Sequence, residues 1–161
     1  FALTGLGLDV LVVDAQVGRR MTVGERDRLM SGTEAIELIS DDHEAELWIV
    51  ALGTNDIGQY PDVDRIRDEV DSVLREIPSD AVVVWVDTWI RSRPDQARAV
   101  NQAIREVVES RNAAIVIDWA TPATGEGVLS GDGVHLTDGV GRARFAEVVA
   151  SGVEALIGPA P

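Results

Sequence analysis

Short apolar runs alternate with longer amphipathic stretches along this chain, and the alternation predicts its architecture. Four runs consist almost entirely of apolar, often β-branched residues, a composition typical of strands that are covered on both faces. These strands are predicted at residues 8–15, 46–53, 81–87 and 113–118. Apolar residues recur at helical spacing at 62–77, at 92–112 and from 138 to the C-terminal region, which predicts three amphipathic helices.

Two local details complete the predicted elements. A weaker helical pattern covers residues 26–39, and Ser31-Gly32-Thr33 is expected to interrupt it. The segment Ser92-Arg93-Pro94-Asp95 has the spacing of a capping box and is expected to begin the helix that follows the third strand.

Strands that alternate with helices predict an α/β fold, with a parallel sheet, right-handed crossovers and helices on both faces. The 161 residues and the 45% hydrophobic composition suit one domain with a sizeable core. In such folds ligands bind beyond the carboxyl ends of the strands. The loops expected at that edge are 16–22, 53–60, 88–93 and 119–135.

The charge balance narrows the classes of partner. With 28 acidic and 14 basic residues the net charge is −14, which argues against nucleic acid or an anionic membrane surface as the main partner. All basic residues are arginine, which excludes Schiff-base lysine chemistry and a phosphate-binding loop that ends in Gly-Lys-Ser/Thr. The chain has no cysteine, which excludes thiol nucleophiles, disulfides and thiolate metal sites.

A histidine and a carboxylate stand three residues apart in the loop before the last helix. The sequence from Gly131 to Thr137 reads Gly-Asp-Gly-Val-His-Leu-Thr and contains Asp132 and His135. Histidine can accept and return a proton near neutrality, and a carboxylate beside it can orient the ring and stabilise the imidazolium. The alternative is that Asp132 and Thr137 lead into the helix and that His135 is an ordinary surface residue.

Candidate oxyanion donors follow two of the predicted strands. Asn55, in Gly53-Thr54-Asn55-Asp56, has an amide that can donate to a developing negative charge, and Gly53 allows the sharp turn that would aim it. An Asx-turn that only closes the strand is the alternative interpretation. The backbone N–H of Gly18 is a second possible donor, or Gly18 only serves a turn.

Taken in this order, Gly18, Gly53-x-Asn55-Asp56 and Asp132-x-x-His135 closely resemble the SGNH (GDSL-like) hydrolase family, over nearly the whole chain. The resemblance implies a three-layer α/β/α sandwich and acyl transfer from an ester to water or another alcohol. It also implies that His135 is the general base, that Asp132 orients it, and that the Gly18 N–H and the Asn55 amide form the oxyanion hole. No cofactor or metal is implied.

The segment Val13-Asp14-Ala15-x-x-Gly18-Arg19 is most similar to SGNH domains found beside membrane acyltransferases that modify surface polysaccharides. This similarity implies an acyl ester or acylated carbohydrate as substrate and association or fusion with a membrane acyltransferase. It slightly favours an extracytoplasmic location. The oligomeric state is left open.

The family's nucleophile, the serine of a Gly-Asp-Ser motif at the end of the first strand, has no counterpart among these residues. We therefore expect a further strand and a serine-bearing loop ahead of Phe1, with Phe1 to Leu6 as the tail of the next helix. The missing strand would then lie between the strands at 8–15 and 46–53. Ser130 is a less favoured substitute nucleophile.

Two other classes of function fit parts of the pattern. A non-catalytic member of the fold, binding a glycan or a protein partner, would need no nucleophile. A flavodoxin-like or receiver domain fits the alternation of strands and helices, but receivers use a lysine near the last strand and this chain has no lysine. A metal site is not expected, because His43 and His135 are the only histidines and neither has metal-binding spacing.

The remaining candidates are aromatic and basic side chains. Trp89 and Trp119 follow strands and either line an acyl or sugar pocket or only pack, whereas Trp48 and Trp85 lie inside strands and are expected in the core. The arginine pair 19–20 is expected to form salt bridges with carboxylates rather than to hold an anionic substrate.

Overall fold

The computed structural model describes residues 11–25 and 28–157. Three strands and five α-helices alternate along this part of the chain. In order they are α1 (Gly32–Asp42), β1 (Leu47–Val50), α2 (Val63–Glu76), β2 (Val82–Val86), α3 (Pro94–Val108), β3 (Ala114–Ile117), α4 (Ala120–Ala123) and α5 (Val140–Ile157). A 3-10 helix, Thr54–Asp56, follows β1.

The three strands form one parallel sheet in the order β1-β2-β3. Between β1 and β2, Leu47 pairs with Val82, and between β2 and β3, Val83 pairs with Ala114. Helices lie on both sides of the sheet, as the alternation of elements predicts. The fold is therefore an α/β/α sandwich of flavodoxin-like type, and the strand ends carry their loops to a common edge.

Alternate residues of the central strand β2 face two separate hydrophobic clusters. Val83 and Trp85 belong to the larger cluster, which α1, α2 and α3 complete, and Val84 and Val86 belong to a smaller one with α5. All four side chains are buried, because a central parallel strand has helices on both faces. Trp48 is buried as well, so the prediction that Trp48 and Trp85 are core residues is confirmed.

Side-chain caps begin two of the first three α-helices, α1 and α2, but not α3. Asp62 caps α2 by accepting a hydrogen bond from the Arg65 N–H at 2.8 Å. Ser31 and Glu34 form a complete capping box, so residues 31–33 begin α1 and do not interrupt a helix. The predicted capping box at 92–95 is wrong: Arg93 is the N-cap of α3, without a side-chain cap, and Pro94 occupies the first turn.

The strand predicted at residues 8–15 is not found in its described part. Residues 11–15 are exposed and have no strand pairing, while residues 8–10 lie outside the described residues. An apolar, β-branched run favours a strand, but a strand also needs a hydrogen-bonded neighbour to satisfy its backbone. Within the described residues this segment does not pair with β1, so the further strand expected between them stays a prediction.

Two other expectations concern the ends and the surface of the chain. The predicted helix tail at Phe1 to Leu6 lies outside the described residues. Of the helices in residues 11–25 and 28–157, none combines the length and the apolar character that a membrane span requires.

Candidate active site

The loop before α5 holds a histidine and a carboxylate in direct contact. His135 Nδ1 lies 2.7 Å from Asp132 Oδ2. The second oxygen, Oδ1, accepts the backbone N–H groups of Val134 at 2.8 Å and His135 at 3.0 Å. The His135 side chain is 72% exposed, so its Nε2 edge can accept a proton from a group brought to it.

Ser130 supports the same carboxylate. Its hydroxyl donates to Asp132 Oδ1 at 2.7 Å and therefore contacts this carboxylate instead of the imidazole, unlike a nucleophile activated by its base. The His135 ring, the Val134 N–H and the Ser130 hydroxyl hold the pKa of Asp132 well below its usual range. Asp132 is thus a stable anion at neutral pH, able to balance a charged imidazole.

A neighbouring loop supports the backbone of this segment. The Arg91 N–H donates to the Gly133 carbonyl at 2.9 Å, and its guanidinium donates to the Leu129 carbonyl at 3.3 Å. The Ser130 N–H donates to the His135 carbonyl at 2.8 Å and closes the loop on itself. Gly133 has φ +72°, and a Cβ there would lie 2.7 Å from the Arg91 Cβ, so the position requires glycine.

The two predicted oxyanion donors lie in loops that contact each other. Gly53 has φ +119° and turns the chain from β1 into the 3-10 helix, where Asn55 is exposed. The Asn55 Nδ2 donates to the Arg19 carbonyl at 3.1 Å. Gly18, with φ +82°, directly precedes Arg19. The structure therefore brings the Gly18 and Asn55 segments together by a side-chain contact.

Asp56 joins these two loops from the interior. Its side chain is fully buried and accepts hydrogen bonds from the Met21 N–H at 3.1 Å, the Tyr60 hydroxyl at 3.1 Å and the Arg20 Nε at 3.4 Å. Burial raises the pKa of Asp56, and these three donors oppose the shift. Burial and the Asp56 charge in turn raise the pKa of Tyr60 to about 12, so its hydroxyl remains a donor.

A pair of threonines links the loop after β1 to the loop after β2. The hydroxyls of Thr54 and Thr88 lie 2.5 Å apart. The Asn101 side chain accepts the Thr88 N–H at 2.9 Å and donates to the Thr88 carbonyl at 2.8 Å, which anchors this loop to α3. With Arg91 bound to Gly133, a series of contacts runs from the Asn55 loop to the His135 loop.

A cavity of about 180 Å³ lies between these loops at the carboxyl ends of the strands. Its walls include Thr54, which precedes Asn55 in the sequence, and Val134 and Leu136, which flank His135. The lining residues are Ala51, Leu52, Thr54, Val86, Asp87, Thr88, Trp119, Val134, Leu136 and Phe145. Trp119 packs edge-on against Phe145 with 5.0 Å between ring centroids, so it both lines the cavity and packs. Trp89 is half-buried and does not line it.

Asp87, at the same edge of the sheet, has a structural role that the sequence does not indicate. Asp87 is a buried carboxylate that accepts the N–H groups of Trp119 at 2.8 Å and Ala120 at 2.7 Å and pairs with Arg105 at 2.6 Å. Burial raises the pKa of Asp87, and these hydrogen bonds oppose the shift. Its position after a buried strand is the one sequence signal that could identify it.

The arginine pair behaves as predicted. Arg19 pairs with Asp14 at 2.9 Å and Arg20 with Asp56 at 3.4 Å, which confirms that both form salt bridges with carboxylates. Within residues 11–25 and 28–157, no three histidine, aspartate or glutamate side chains are grouped so that they could hold a metal ion.

Comparison with known proteins agrees with the fold and the motif order. The family model described as the GDSL-like Lipase/Acylhydrolase family matches residues 3–140. A search of curated proteins gave no match. The matched range contains Gly18, Asn55, Asp132 and His135.

Proposed function

This chain belongs to the GDSL-like lipase/acylhydrolase family, and from that premise we propose that it cleaves carboxylic esters through a serine-bound acyl-enzyme. The observation that carries the proposal is the 2.7 Å contact between His135 Nδ1 and Asp132, which leaves Nε2 exposed as a general base. The nucleophile in this proposal is a serine that precedes Phe1, as the sequence resemblance implies.

The proposed reaction has two stages. The serine oxygen bonds to the acyl carbon while His135 Nε2 takes the hydroxyl proton, and the carbonyl oxygen becomes an oxyanion bound by the Gly18 N–H and the Asn55 amide. The carbon–oxygen bond to the leaving alcohol then breaks, and His135 returns the proton to that alcohol. Water repeats the sequence on the acyl-enzyme and releases the acid. Asp132 keeps the ring oriented and balances its charge throughout.

A second alcohol in place of water would make the same site an O-acyltransferase. The segment 13–19 supports this extension through its similarity to domains found beside membrane acyltransferases of surface polysaccharides. We propose acylated carbohydrates as the substrate class and such an acyltransferase as the partner. Adding a soluble sugar acceptor to the ester assay and analysing products by mass spectrometry separates transfer from hydrolysis.

Substitution of the base and of the oxyanion donor tests the proposal in the gene-encoded protein. With p-nitrophenyl acetate, His135→Ala is expected to lower kcat by about 10⁴-fold or more. Asn55→Ala is expected to lower kcat by roughly 10²- to 10³-fold. His43→Ala is the matched control, because this exposed histidine only ends α1 and its loss is expected to leave kcat unchanged. Equal rates for parent and His135→Ala would contradict the proposal, and rates equal to that of the uncatalysed reaction would favour a non-catalytic binding domain.

A further inference from the structure

We infer that Asp56 is a positioning residue that sets the placement of the Gly18 N–H relative to the Asn55 amide. The inference rests on the proposed function, because it assigns Asp56 a role through those two donors. Asp56 touches neither substrate nor reacting atoms in this scheme. It acts by holding the two loops that supply the donors in one arrangement.

Two of the three side-chain hydrogen bonds of Asp56 cross between those loops, and the third stays within the Asn55 loop. One carboxylate oxygen accepts the Met21 N–H, three residues beyond Gly18. The other accepts the Arg20 Nε and the Tyr60 hydroxyl. Since Asp56 directly follows Asn55, its anchored side chain also restrains the backbone that carries the amide.

The opposite side of the Gly18 loop is held by a helix terminus. The first N–H groups of α1 donate to it, Gly32 to the Arg20 carbonyl at 2.8 Å and Thr33 to the Met21 carbonyl at 3.0 Å. These donors would otherwise lack helical partners. The loop is therefore fixed between α1 and Asp56, and loss of the carboxylate removes its support on one side.

An oxyanion hole is sensitive to such a loss because its donors act only when correctly placed. A displacement of about 1 Å costs on the order of 10²-fold in rate. Asp56→Asn retains the shape of the side chain but removes the charge and one acceptor. It is expected to lower kcat by roughly 10- to 100-fold with little change in KM, because the oxyanion forms only in the transition state.

A double-mutant cycle separates positioning from general structural support. If Asp56 acts partly through Asn55, Asp56→Asn costs less in the Asn55→Ala background than in the parent. Asp87→Asn is the matched control: it also removes a buried strand-end carboxylate, but its partners Trp119, Ala120 and Arg105 lie in other segments. Its cost is expected to be the same in both backgrounds.

Thermal unfolding of each variant accompanies the cycle. If Asp56→Asn does not fold, Tyr60→Phe replaces it, because it removes one donor and leaves the carboxylate in place. Equal costs in both backgrounds, as for Asp87→Asn, would overturn the inference and leave Asp56 a structural residue. An ester assay in which the parent itself is inactive would instead contradict the proposed function, and the inference with it.

Discussion

The loops that carry Asp132 and Asp56 both surround a carboxylate with hydrogen-bond donors, yet they do so in opposite ways. Asp132 is half-exposed, and its donors come from Ser130, Val134 and His135, all within three residues. Asp56 is fully buried, and two of its three donors lie 35 and 36 residues away. The pKa is lowered at the first site and raised at the second. The first arrangement favours chemistry at the surface, and the second holds loops together.

The largest expected effect concerns the exposed carboxylate. Asp132→Asn is expected to lower kcat for ester cleavage by about 10⁴-fold, because a neutral amide neither fixes the ring tautomer nor balances an imidazolium. The control is Asp138→Asn, whose exposed carboxylate pairs with Arg142 at 2.9 Å on the next turn and should not affect kcat. Circular dichroism checks the fold of both. Similar rates for both variants would remove Asp132 from the proposed mechanism.

A smaller effect is expected from the backbone of the same loop. Gly133→Ala forces a non-glycine residue to φ +72° and places its Cβ against Arg91, which should lower the free energy of unfolding by about 1–3 kcal/mol. Gly131→Ala is the matched control, since a Cβ there meets no atom within 4 Å. Urea unfolding compares the two. A Gly133→Ala protein as stable as Gly131→Ala would show that the loop accommodates a Cβ at this position without strain.

The smallest effect is the dependence of stability on pH at Asp132. A carboxyl whose folded pKa is depressed stabilises the folded state above its unfolded value of about 3.9, and this contribution is lost as pH falls through the lower folded pKa. The stability difference between the parent and Asp132→Asn should therefore shrink as the pH falls below about 4. Urea midpoints across this range provide the measurement. A difference that grows as the pH falls below about 4 would contradict the assigned direction.

This contrast explains what sequence reasoning could predict. The contact between Asp132 and His135 spans three residues, so their spacing in a glycine-flanked loop was enough to suggest a base and its orienter. The sheet was predictable because β1, β2 and β3 are apolar runs between amphipathic helices. The segment 11–15 has the same composition but no paired neighbour among the described residues, and composition alone cannot supply that neighbour.

The contacts of Asp56 were not predictable, because most of them join residues that are far apart in the sequence. Its partners Arg20 and Met21 precede it by more than thirty residues and meet it only after the loops have come together. The link between Thr54 and Thr88 has the same character, since it joins loops separated by α2 and β2. Strand-end position places such residues at the right edge of the sheet, but it does not identify their partners.

The contact between Asn55 and the Arg19 carbonyl also determines which amino acids this position can accept. An amide rotated by 180° would direct its own oxygen at that carbonyl, so electrostatic repulsion selects one rotamer and leaves one N–H for a ligand. Aspartate, nearly identical in shape, would direct a negative charge at the same oxygen. The position therefore discriminates between two isosteric side chains by the polarity of one neighbouring backbone group, before any substrate has bound.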